Sequence, residues 1–277
     1  MRPELNSSPD EACISLEIIE GVADVRLNRP GKLNALNNEM FEALIETGER
    51  LRRARGLRAV VLSGAGRAFS AGLDRDMFGR LAANSVRKGL DDLMTRTRGD
   101  ANTPQQAVLV WRFLPVPVIA AIHGAALGGG LQIALGADIR YVAPDAKLSI
   151  LEVKWGLAPD MGGVALLRRL VRPDIARELA LTGRMLSGTE AAECGLATRA
   201  VEDPYAAALA TAREIAGRSP DAVRAIKRLM NRADDEDMAS ILMAESAEQT
   251  ALMRSPNMVE AMLAGLEPRE PRFMDPE

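Results

Sequence analysis

A run of glycines between an apolar strand and an apolar helix constrains this chain more than any other feature. The β-type segment 116–122 leads through a short turn into three consecutive glycines, 128–130, which open an apolar helix. Glycines at the mouth of a buried helix allow main-chain N–H groups to approach a ligand closely and to face a developing negative charge. Glu152 then places one carboxylate inside the apolar stretch 148–157. A preorganised N–H donor and a carboxylate in a dry setting predict proton transfer next to a carbonyl group.

Composition limits the classes of protein to which this chain can belong. Its 277 residues are 47% hydrophobic, which is enough for one large domain, alone or with an appendage. The formal net charge of -3 argues against a general affinity for nucleic acid or for anionic membranes, and no apolar run is long enough to span a bilayer. A single histidine excludes a His-rich metal site, so we expect no metal.

The cysteines and the N-terminal residues indicate the cellular compartment of the protein. Cys13 and Cys194 match neither a disulfide framework nor a CxxC metal site, so a reducing compartment is the simplest account. The polar segment 1–12 contains no apolar core of a signal peptide. We therefore expect a cytoplasmic protein.

Strand and helix patterns alternate along most of the chain. Two short strands, 14–19 and 22–27, are joined by a Glu-Gly turn, and a similar rhythm of two strands and a helix returns around the glycine run. Towards the C-terminus every periodic segment is helical. This order predicts an α/β spiral of ββα units over 14–200, a loose tail over 1–13 and a helical region over 201–277.

Local signals place a helix start and the candidate walls of a pocket. Asn37 or Asn38 is expected to cap a helix whose apolar residues recur at spacings of three and four. Segment 75–106 predicts one or two mobile helices, or ordinary surface helices, and Trp111 and Trp155 are expected to be packing residues. The apolar side chains of that segment are candidate pocket walls: Met77, Phe78, Leu90, Leu93 and Met94.

Five spaced motifs give the chain a resemblance to a known family. In order they are LNRPGKLNALN (27–37), AFSAGLD (68–74), PVPVIAAIHGAALGGGLQIALGADIRY (115–141), EVKWGLAPDMGG (152–163) and LTGRMLSGTEAAECGLATRAVE (181–202). The chain resembles the crotonases, the enoyl-CoA hydratase/isomerase superfamily. The resemblance implies a ClpP/crotonase-like spiral of ββα units with a C-terminal helical trimerisation region, assembled as a homotrimer or a dimer of trimers. It also implies an acyl thioester of coenzyme A as the substrate, with no cofactor beyond that CoA moiety.

The resemblance assigns roles to main-chain groups as well as to side chains. The N–H groups of Leu73 and Gly129 would polarise the thioester carbonyl as an oxyanion hole, and one such donor is worth roughly 3 kcal/mol in acyl-transfer enzymes. The CoA moiety and the acyl group would lie along the following residues: Lys32, Leu33, Ala35, Ala71, Asp74, Arg75 and Gly128. Lys32 and Arg75 are candidates for contact with phosphate groups, or they are plain solvated cations.

Acidic side chains distinguish the hydratases of this family from the isomerases. Typical hydratases use two glutamates, and this chain has Gln132 at the first of these positions and Glu152 at the second. An amide can orient a water or a substrate but cannot shuttle a proton near neutral pH, and Gln132 is equally suited to satisfying main-chain groups in the core. Glu152 is expected to be the principal acid and base, or else a buried ion-pair partner of Lys154 or Arg140.

Asp160 supplies a second carboxylate. The string EVKWGLAPD (152–160) resembles the segment of the dienoyl-CoA isomerases, whose proton shuttle uses a Glu and an Asp at this separation. Two carboxylates across an acyl chain can remove a proton at one carbon and return one at another, which shifts a double bond without adding water. Asp160 is also placed to cap the helix that follows, where the helix N-terminus would favour its ionised form.

These features predict first an enoyl- or dienoyl-CoA isomerase. The alternatives are a 2-enoyl-CoA hydratase in which Gln132 and Glu152 hold the water, and a non-catalytic protein that binds CoA thioesters. A shift of a single double bond would need only Glu152. A serine hydrolase is disfavoured, because no GxSxG elbow surrounds Ser70 and His123 lies in a turn of small residues.

Overall fold

The computed structural model describes residues 12–82, 93–96, 99–267 and 269–276. Leu90, one of the expected pocket walls, lies outside these ranges. The described strands are β1 (Ile14–Ile19), β2 (Val22–Leu27), β3 (Ala59–Gly64), β4 (Val118–Ile122), β5 (Ala125–Leu127), β6 (Ile139–Val142), β7 (Lys147–Ser149), β8 (Leu186–Ser187) and β9 (Arg199–Ala200). The described helices are α1 (Asn38–Arg52), α2 (Arg75–Ala82), α3 (Thr103–Arg112), α4 (Gly129–Leu135), α5 (Gly163–Leu170), α6 (Pro173–Thr182), α7 (Gly188–Glu193), α8 (Pro204–Ala216), α9 (Pro220–Ala233), α10 (Met238–Leu252) and α11 (Pro256–Leu266), with 3₁₀ turns at Pro30–Lys32 and Glu152–Trp155. No helix within these ranges has both the length and the apolar character needed to cross a bilayer.

Six strands form the larger sheet, in the order β1-β2-β3-β4-β6-β9. β1 and β2 are antiparallel, with Ile14 opposite Leu27, and every further pair in this sheet is parallel. Glu20 and Gly21 make the hairpin turn, with φ of 49° and 79°. The predicted bounds of both strands are confirmed.

The central strands are buried on both sides because helices cover the two faces of the sheet. On one face Val60 and Leu62 belong to the large core that includes α1 and α3. On the other face Val61 belongs to a smaller core with Ala208 and Ala212 of α8. This alternation of side chains along β3 fixes the register of the sheet between its two helical layers.

Helix α1 begins and packs as its sequence predicts. Oδ1 of Asn37 accepts a hydrogen bond from the Met40 N–H at 3.0 Å, so Asn37 rather than Asn38 is the N-cap. The predicted apolar stripe is buried. Gly48 lies in this stripe, and Cγ2 of Val110 in α3 occupies the space that a Cβ atom there would need. The two helices therefore approach closely.

A second sheet, with the order β5-β7-β8, positions the glycine run. Leu127 of β5 pairs with Ser149 of β7, and the N–H of Gly128 donates to the Ser149 carbonyl oxygen at 2.9 Å. The chain enters α4 directly after β5. It reaches the turn that carries Glu152 soon after β7. The N-terminus of α4 and Glu152 are thus held side by side.

The C-terminal helices are tied to this framework by buried polar contacts. Lys227 of α9 is buried, and its Nζ donates to the Val116 carbonyl oxygen at 2.9 Å and to Oδ2 of Asp138 at 2.7 Å. The extended C-terminal residues return towards the larger sheet, where Asp275 forms an ion pair with Arg58 at 2.8 Å. The domain boundaries expected from the sequence stay a prediction.

Candidate active site

The glycine run brings residues of three sequence motifs together. Gly128 has φ of +50° and ψ of -123°, a conformation that requires glycine, and it is the N-cap of α4. A Cβ atom at Gly129 would lie 2.8 Å from Sδ of Met161 and 3.0 Å from Cδ1 of Leu36. The start of α4 is therefore in close contact with the segments that precede α1 and α5.

Two main-chain N–H groups beside this glycine run have no acceptor among the residues that the structure describes. The Leu36 N–H donates to the Gly72 carbonyl oxygen at 2.8 Å, and the Asp74 N–H donates to the Leu36 carbonyl oxygen at 2.9 Å. The Gly72 carbonyl group and the Asp74 N–H group therefore both face Leu36. The Leu73 N–H group lies between them in the chain and faces away from Leu36. In the described part of the chain, neither the Leu73 N–H nor the Gly129 N–H donates to a protein acceptor.

The segments that carry these two N–H groups are in contact. Gly72 has φ of +83°, and a Cβ atom there would lie 2.5 Å from the Leu127 carbonyl oxygen and 3.8 Å from the Gly129 nitrogen. Two unpaired N–H donors on adjacent loops are what an oxyanion hole requires. The geometry thus brings together the two residues to which the family resemblance assigned this role, Leu73 and Gly129.

Glu152 lies on the 3₁₀ turn after β7 and is 8% exposed. Its Oε1 accepts a hydrogen bond from Nε2 of Gln132 at 2.5 Å, and its Oε2 is buried without a hydrogen-bond partner among the described residues. Burial raises the pKa of the Glu152 carboxyl, and the negative charge of Asp160 raises it further. The hydrogen bond from Gln132 and the neighbouring main chain oppose this shift without cancelling it.

The ion pairs considered for Glu152 do not form within the described chain. Arg140 is buried and donates instead to the carbonyl oxygens of Leu196 and Ala137, at 3.0 and 2.6 Å. Lys154 forms no ion pair with Glu152. Glu152 is buried and has no cation beside it. Its charged form is therefore less favoured over its protonated form than it would be in water.

Gln132 is completely buried and uses both ends of its amide. Its Oε1 accepts hydrogen bonds from the N–H groups of Met161 and Gly163, each at 3.0 Å. Gly163 is the first residue of α5, so one of the N–H groups that a helix start leaves unpaired is satisfied by this side chain. Of the two roles expected for Gln132, the satisfaction of main-chain groups is therefore observed directly.

The prediction that Asp160 caps the following helix is wrong. α5 begins at Gly163 with Gly162 as its N-cap, and the Asp160 side chain makes no cap hydrogen bond there. Desolvation by the surrounding protein raises the pKa of the Asp160 carboxyl, although the residue is exposed at the surface. The pKa therefore shifts in the direction opposite to the one expected from a helix N-terminus, because Asp160 lies outside the first turn of the helix and desolvation dominates.

The loop with the expected CoA contacts has a strained backbone that the sequence reasoning missed. Leu33 and Asn34 have φ of 50° and 53°, which is unusual for residues other than glycine. The Asn34 side chain holds this conformation, because its Nδ2 donates to the carbonyl oxygens of Ala65 and Ala68 at 2.9 and 2.8 Å. The Ala71 N–H donates to the Leu33 carbonyl oxygen at 2.9 Å. Both segments with predicted CoA contacts thus form one unit.

The charged residues of that unit fall into two groups. Lys32 and Arg75 are exposed, in keeping with either of the roles expected for them. Asp74 is buried, and its Oδ2 accepts a hydrogen bond from Arg29 at 2.9 Å. Arg29 also donates to the carbonyl oxygen of Ala35. Arg29 is therefore a second residue of structural importance at this site that the sequence reasoning missed.

Ser70 supports this loop and has no histidine partner. Its Oγ donates to the Asn34 carbonyl oxygen at 2.8 Å and accepts from the Gly72 N–H at 3.3 Å. His123 is paired with the Gly66 carbonyl oxygen. No Ser–His pair is formed by these two residues, which agrees with the argument against a hydrolase.

Aromatic rings connect α2 with the turn that carries Glu152. The ring centroids of Phe78 and Trp155 are 4.7 Å apart, and the Trp155 side chain is 58% exposed. Trp111 is fully buried, as expected of a packing residue, and Trp155 packs against Phe78 at the surface rather than in the core. Met77 is buried and Met94 is exposed.

Fold and site together define the class of this protein. Parallel strands feed loops whose unpaired N–H groups meet at a helix opened by glycines, with a buried carboxyl group beside them. That combination is the site of a crotonase-fold enzyme. The chain belongs to the enoyl-CoA hydratase/isomerase family, whose model matches residues 17–276.

Some relatives of this chain are named as isomerases and others as hydratases. The chain is 33% identical to the human mitochondrial Delta(3,5)-Delta(2,4)-dienoyl-CoA isomerase, over 96% of this chain and 83% of that protein. It is 35% identical to the human mitochondrial enoyl-CoA hydratase domain-containing protein 2, over 92% of this chain and 86% of that protein. The crystal structure of an enoyl-CoA hydratase from Bacillus anthracis is similar, with a TM-score of 0.84, 30% identity and coverage of 94% and 98% of the two chains. The predicted family, crotonase fold and enzyme class are confirmed.

Proposed function

We propose that this enzyme isomerises the double bonds of an acyl-CoA thioester, with enoyl- or dienoyl-CoA as substrate. The observation that supports this most directly is the hydrogen bonding of Gln132, whose oxygen accepts from two main-chain N–H groups. That side chain cannot act as a second acid. Glu152 and Asp160 remain as the carboxyl groups available for proton transfer, and their raised pKa values suit groups that both give and take protons.

In the proposed reaction the thioester oxygen accepts hydrogen bonds from the Leu73 and Gly129 N–H groups. Glu152 removes a proton from the carbon next to the thioester, and the electron pair moves onto the thioester oxygen as an enolate. Each donor stabilises this charge by roughly 3 kcal/mol. Asp160 in its protonated form returns a proton to a carbon further along the conjugated chain. No water is consumed, and the product is an isomer of the substrate.

Hydration of a 2-enoyl-CoA is the second candidate reaction. One observation favours it: Nε2 of Gln132 uses one N–H on Glu152, and its other N–H has no acceptor among the described residues. That N–H can donate to a water molecule next to Glu152. Gln132 cannot act as a base towards this water, however, so activation would fall to Glu152 alone.

Product analysis in heavy water distinguishes isomerisation from hydration. The protein is mixed with 3-enoyl-, 2-enoyl- and 3,5-dienoyl-CoA in deuterium oxide, and the products are analysed by mass spectrometry. Incorporation of deuterium without the added mass of water is the expected result. Gain of water from 2-enoyl-CoA would replace isomerisation by hydration as the main activity. Absence of any reaction, with a melting temperature raised by CoA thioesters, would indicate a binding protein without turnover.

We also propose that the chain assembles as a homotrimer through its C-terminal helices. Within α10 only Ala244 is buried, and large apolar side chains of α10 and α11 are exposed in the single chain: Met238, Leu242, Met243, Met262, Leu263 and Leu266. Large apolar side chains exposed in this number are typical of helices that pack in an interface.

A further inference from the structure

Gln132 lies between Glu152 and the start of α5, and its contacts distinguish the two oxygen atoms of Glu152. We infer that Gln132 is a positioning residue whose amide holds Oε1 of Glu152, so that Oε2 is the oxygen that takes up and returns substrate protons. This inference rests on the proposed isomerase function, because it names the atom through which Glu152 acts.

The orientation of the Gln132 amide follows from its neighbours. Its oxygen lies 3.0 Å from the main-chain nitrogens of both Met161 and Gly163. Main-chain N–H groups only donate, so the opposite orientation would place the amide NH₂ group against two donors. The NH₂ group therefore faces Glu152, with 2.5 Å between Nε2 and Oε1.

This contact gives the two oxygen atoms of Glu152 different roles. Oε1 is the acceptor of the Gln132 hydrogen bond, and an unprotonated oxygen is the better acceptor. Oε2 is buried and has no hydrogen-bond partner in the described part of the chain. A buried acceptor without a partner inside the protein is available to bond a ligand or to carry a proton. A proton carried by Glu152 therefore resides on Oε2.

A carboxylate at position 132 would not serve the same purpose. It would still accept from the N–H groups of Met161 and Gly163, but it would place a second negative charge against Oε1 of Glu152. Two carboxylates at that distance cannot both be ionised, so they would share one proton. The amide avoids this and leaves Glu152 as a single carboxyl group with one oxygen free to exchange protons.

Close packing keeps the amide in place. The Oε1 atom of Gln132 occupies the space that a Cβ atom at Gly163 would need, and a Cβ atom at Gly128 would lie 3.2 Å from Oε1 of Glu152. The substitution G163A must therefore displace the amide without changing any polar group. It provides a second way to disturb the same contact.

Infrared difference spectroscopy across a pH series measures the titration of Glu152 without turnover. The variants are Q132M, Q132E and G163A, and E152Q identifies the carboxyl band. We expect all three to raise the pKa of Glu152 above that of the wild type. In Q132M and G163A the hydrogen bond that favours the charged form is lost or weakened, and in Q132E a like charge is added. G217A is the control, because Gly217 is exposed at the end of α8 and a Cβ atom there would make only ordinary contacts, the shortest at 3.4 Å.

Kinetics on the same variants separates positioning from a purely structural role. We expect kcat for isomerisation to fall about 100-fold in Q132M, with its pH profile displaced upward and the Kd for an unreactive acyl-CoA little changed. A Q132M protein with a lower Tm but with wild-type kcat and wild-type titration of Glu152 would overturn the inference. A wild-type protein that isomerises no substrate would refute the proposed function instead, and the infrared titration would still test the role of Gln132.

Discussion

At the scale of single residues, this site depends on the chemical difference between an amide and a carboxyl group. Burial raises the pKa values of both Glu152 and Asp160, and the charge of Asp160 raises that of Glu152 further. A raised pKa makes the protonated form of a carboxyl group more accessible, which favours a group that both gives and takes protons. Gln132 cannot join this exchange, but it determines how Glu152 is held. One amide in place of an acid is thus the basis of the proposed preference for isomerisation over hydration.

Replacing Glu152 by Gln tests its role as the acid and base. We expect kcat of E152Q to fall by about 1,000-fold or more, because general acid and base catalysis is lost. The Kd for an acyl-CoA is expected to change little, since the proposed CoA contacts lie on other segments. Enzyme assays and calorimetric titration measure the two quantities, with E193Q on the exposed surface of α7 as the control. Wild-type kcat in E152Q would remove Glu152 from the mechanism.

The thermal stability of E152Q tests whether burial disfavours the charged form of Glu152. Burial raises the folded-state pKa of Glu152 above its unfolded value of about 4.3. The stability that this shift contributes is fully present below the unfolded pKa and is lost as the pH rises through the folded pKa. E152Q has no such titration, so its Tm relative to the wild type is expected to increase as the pH is raised from about 4 to 7. Scanning calorimetry at both pH values measures this, and a difference in Tm that is independent of pH would contradict it.

Asp160 is expected to matter for dienoyl substrates in particular. D160N should slow the isomerisation of a 3,5-dienoyl-CoA about 100-fold, while the shift of a single double bond, which needs only Glu152, is much less affected. Its Tm should stay close to that of the wild type, because Asp160 does not cap α5. Rates with both substrates and a thermal melt provide the comparison. Equal loss with both substrates would argue that Asp160 has no role specific to the longer shift.

At the scale of elements, the proposed oxyanion hole depends on two loops that touch. Gly72 allows this contact, because its positive φ and the short distance to the Leu127 carbonyl oxygen exclude a side chain. The N–H donors belong to the main chain, so the identity of the side chain at Leu73 is of little chemical consequence. The arrangement is therefore sensitive to the backbone and insensitive to most substitutions at the donor positions.

A pair of neighbouring substitutions tests this distinction. G72A is expected to lower kcat by about 100-fold or more, because it separates the two donors, and to destabilise the fold by about 1 to 2 kcal/mol through its positive φ. L73A keeps its N–H group and is expected to retain most of the activity. Steady-state kinetics and thermal melts of the two variants measure both effects. Similar kcat values in G72A and the wild type would contradict the assignment of this loop.

Features set by nearby residues could be predicted from the sequence. The hairpin of β1 and β2 follows from alternating side chains and a Glu-Gly turn, and the start of α1 follows from the side chain of Asn37. The approach of the glycine run to the AFSAGLD motif was implied by the family resemblance. These predictions depend on local pattern or on recurring motifs, and both are visible in a single sequence.

Features set by distant residues could not be predicted in the same way. The start of α5 is satisfied by the Gln132 side chain from α4, so the local signal for a cap at Asp160 was misleading. Asn34 holds its strained loop through carbonyl oxygens of another segment. Trp155 is largely exposed and contacts Phe78 of α2, although its large apolar ring predicts burial. Each case depends on a contact that the tertiary fold creates.

At the scale of the whole molecule, the C-terminal helices leave apolar surface that a single chain cannot bury. Light scattering is expected to give the mass of a homotrimer for the wild type. A charge at Met262, in M262E, is expected to lower this mass towards that of one chain, because Met262 is 62% exposed on α11 and would become a buried charge in the interface. Wild-type protein with the mass of one chain at micromolar concentration would contradict the proposed assembly.

In the proposed mechanism, one thioester oxygen is held by two main-chain N–H groups while Glu152 moves a proton on the adjacent carbon. A crystal structure of E152Q with a bound 3,5-dienoyl-CoA tests it most directly. We expect the thioester oxygen at about 2.7 to 3.1 Å from the nitrogens of both Leu73 and Gly129, with the side chain at position 152 next to the carbon beside the thioester. A thioester bound away from these two nitrogens, or a side chain at position 152 directed away from the acyl chain, would contradict the account.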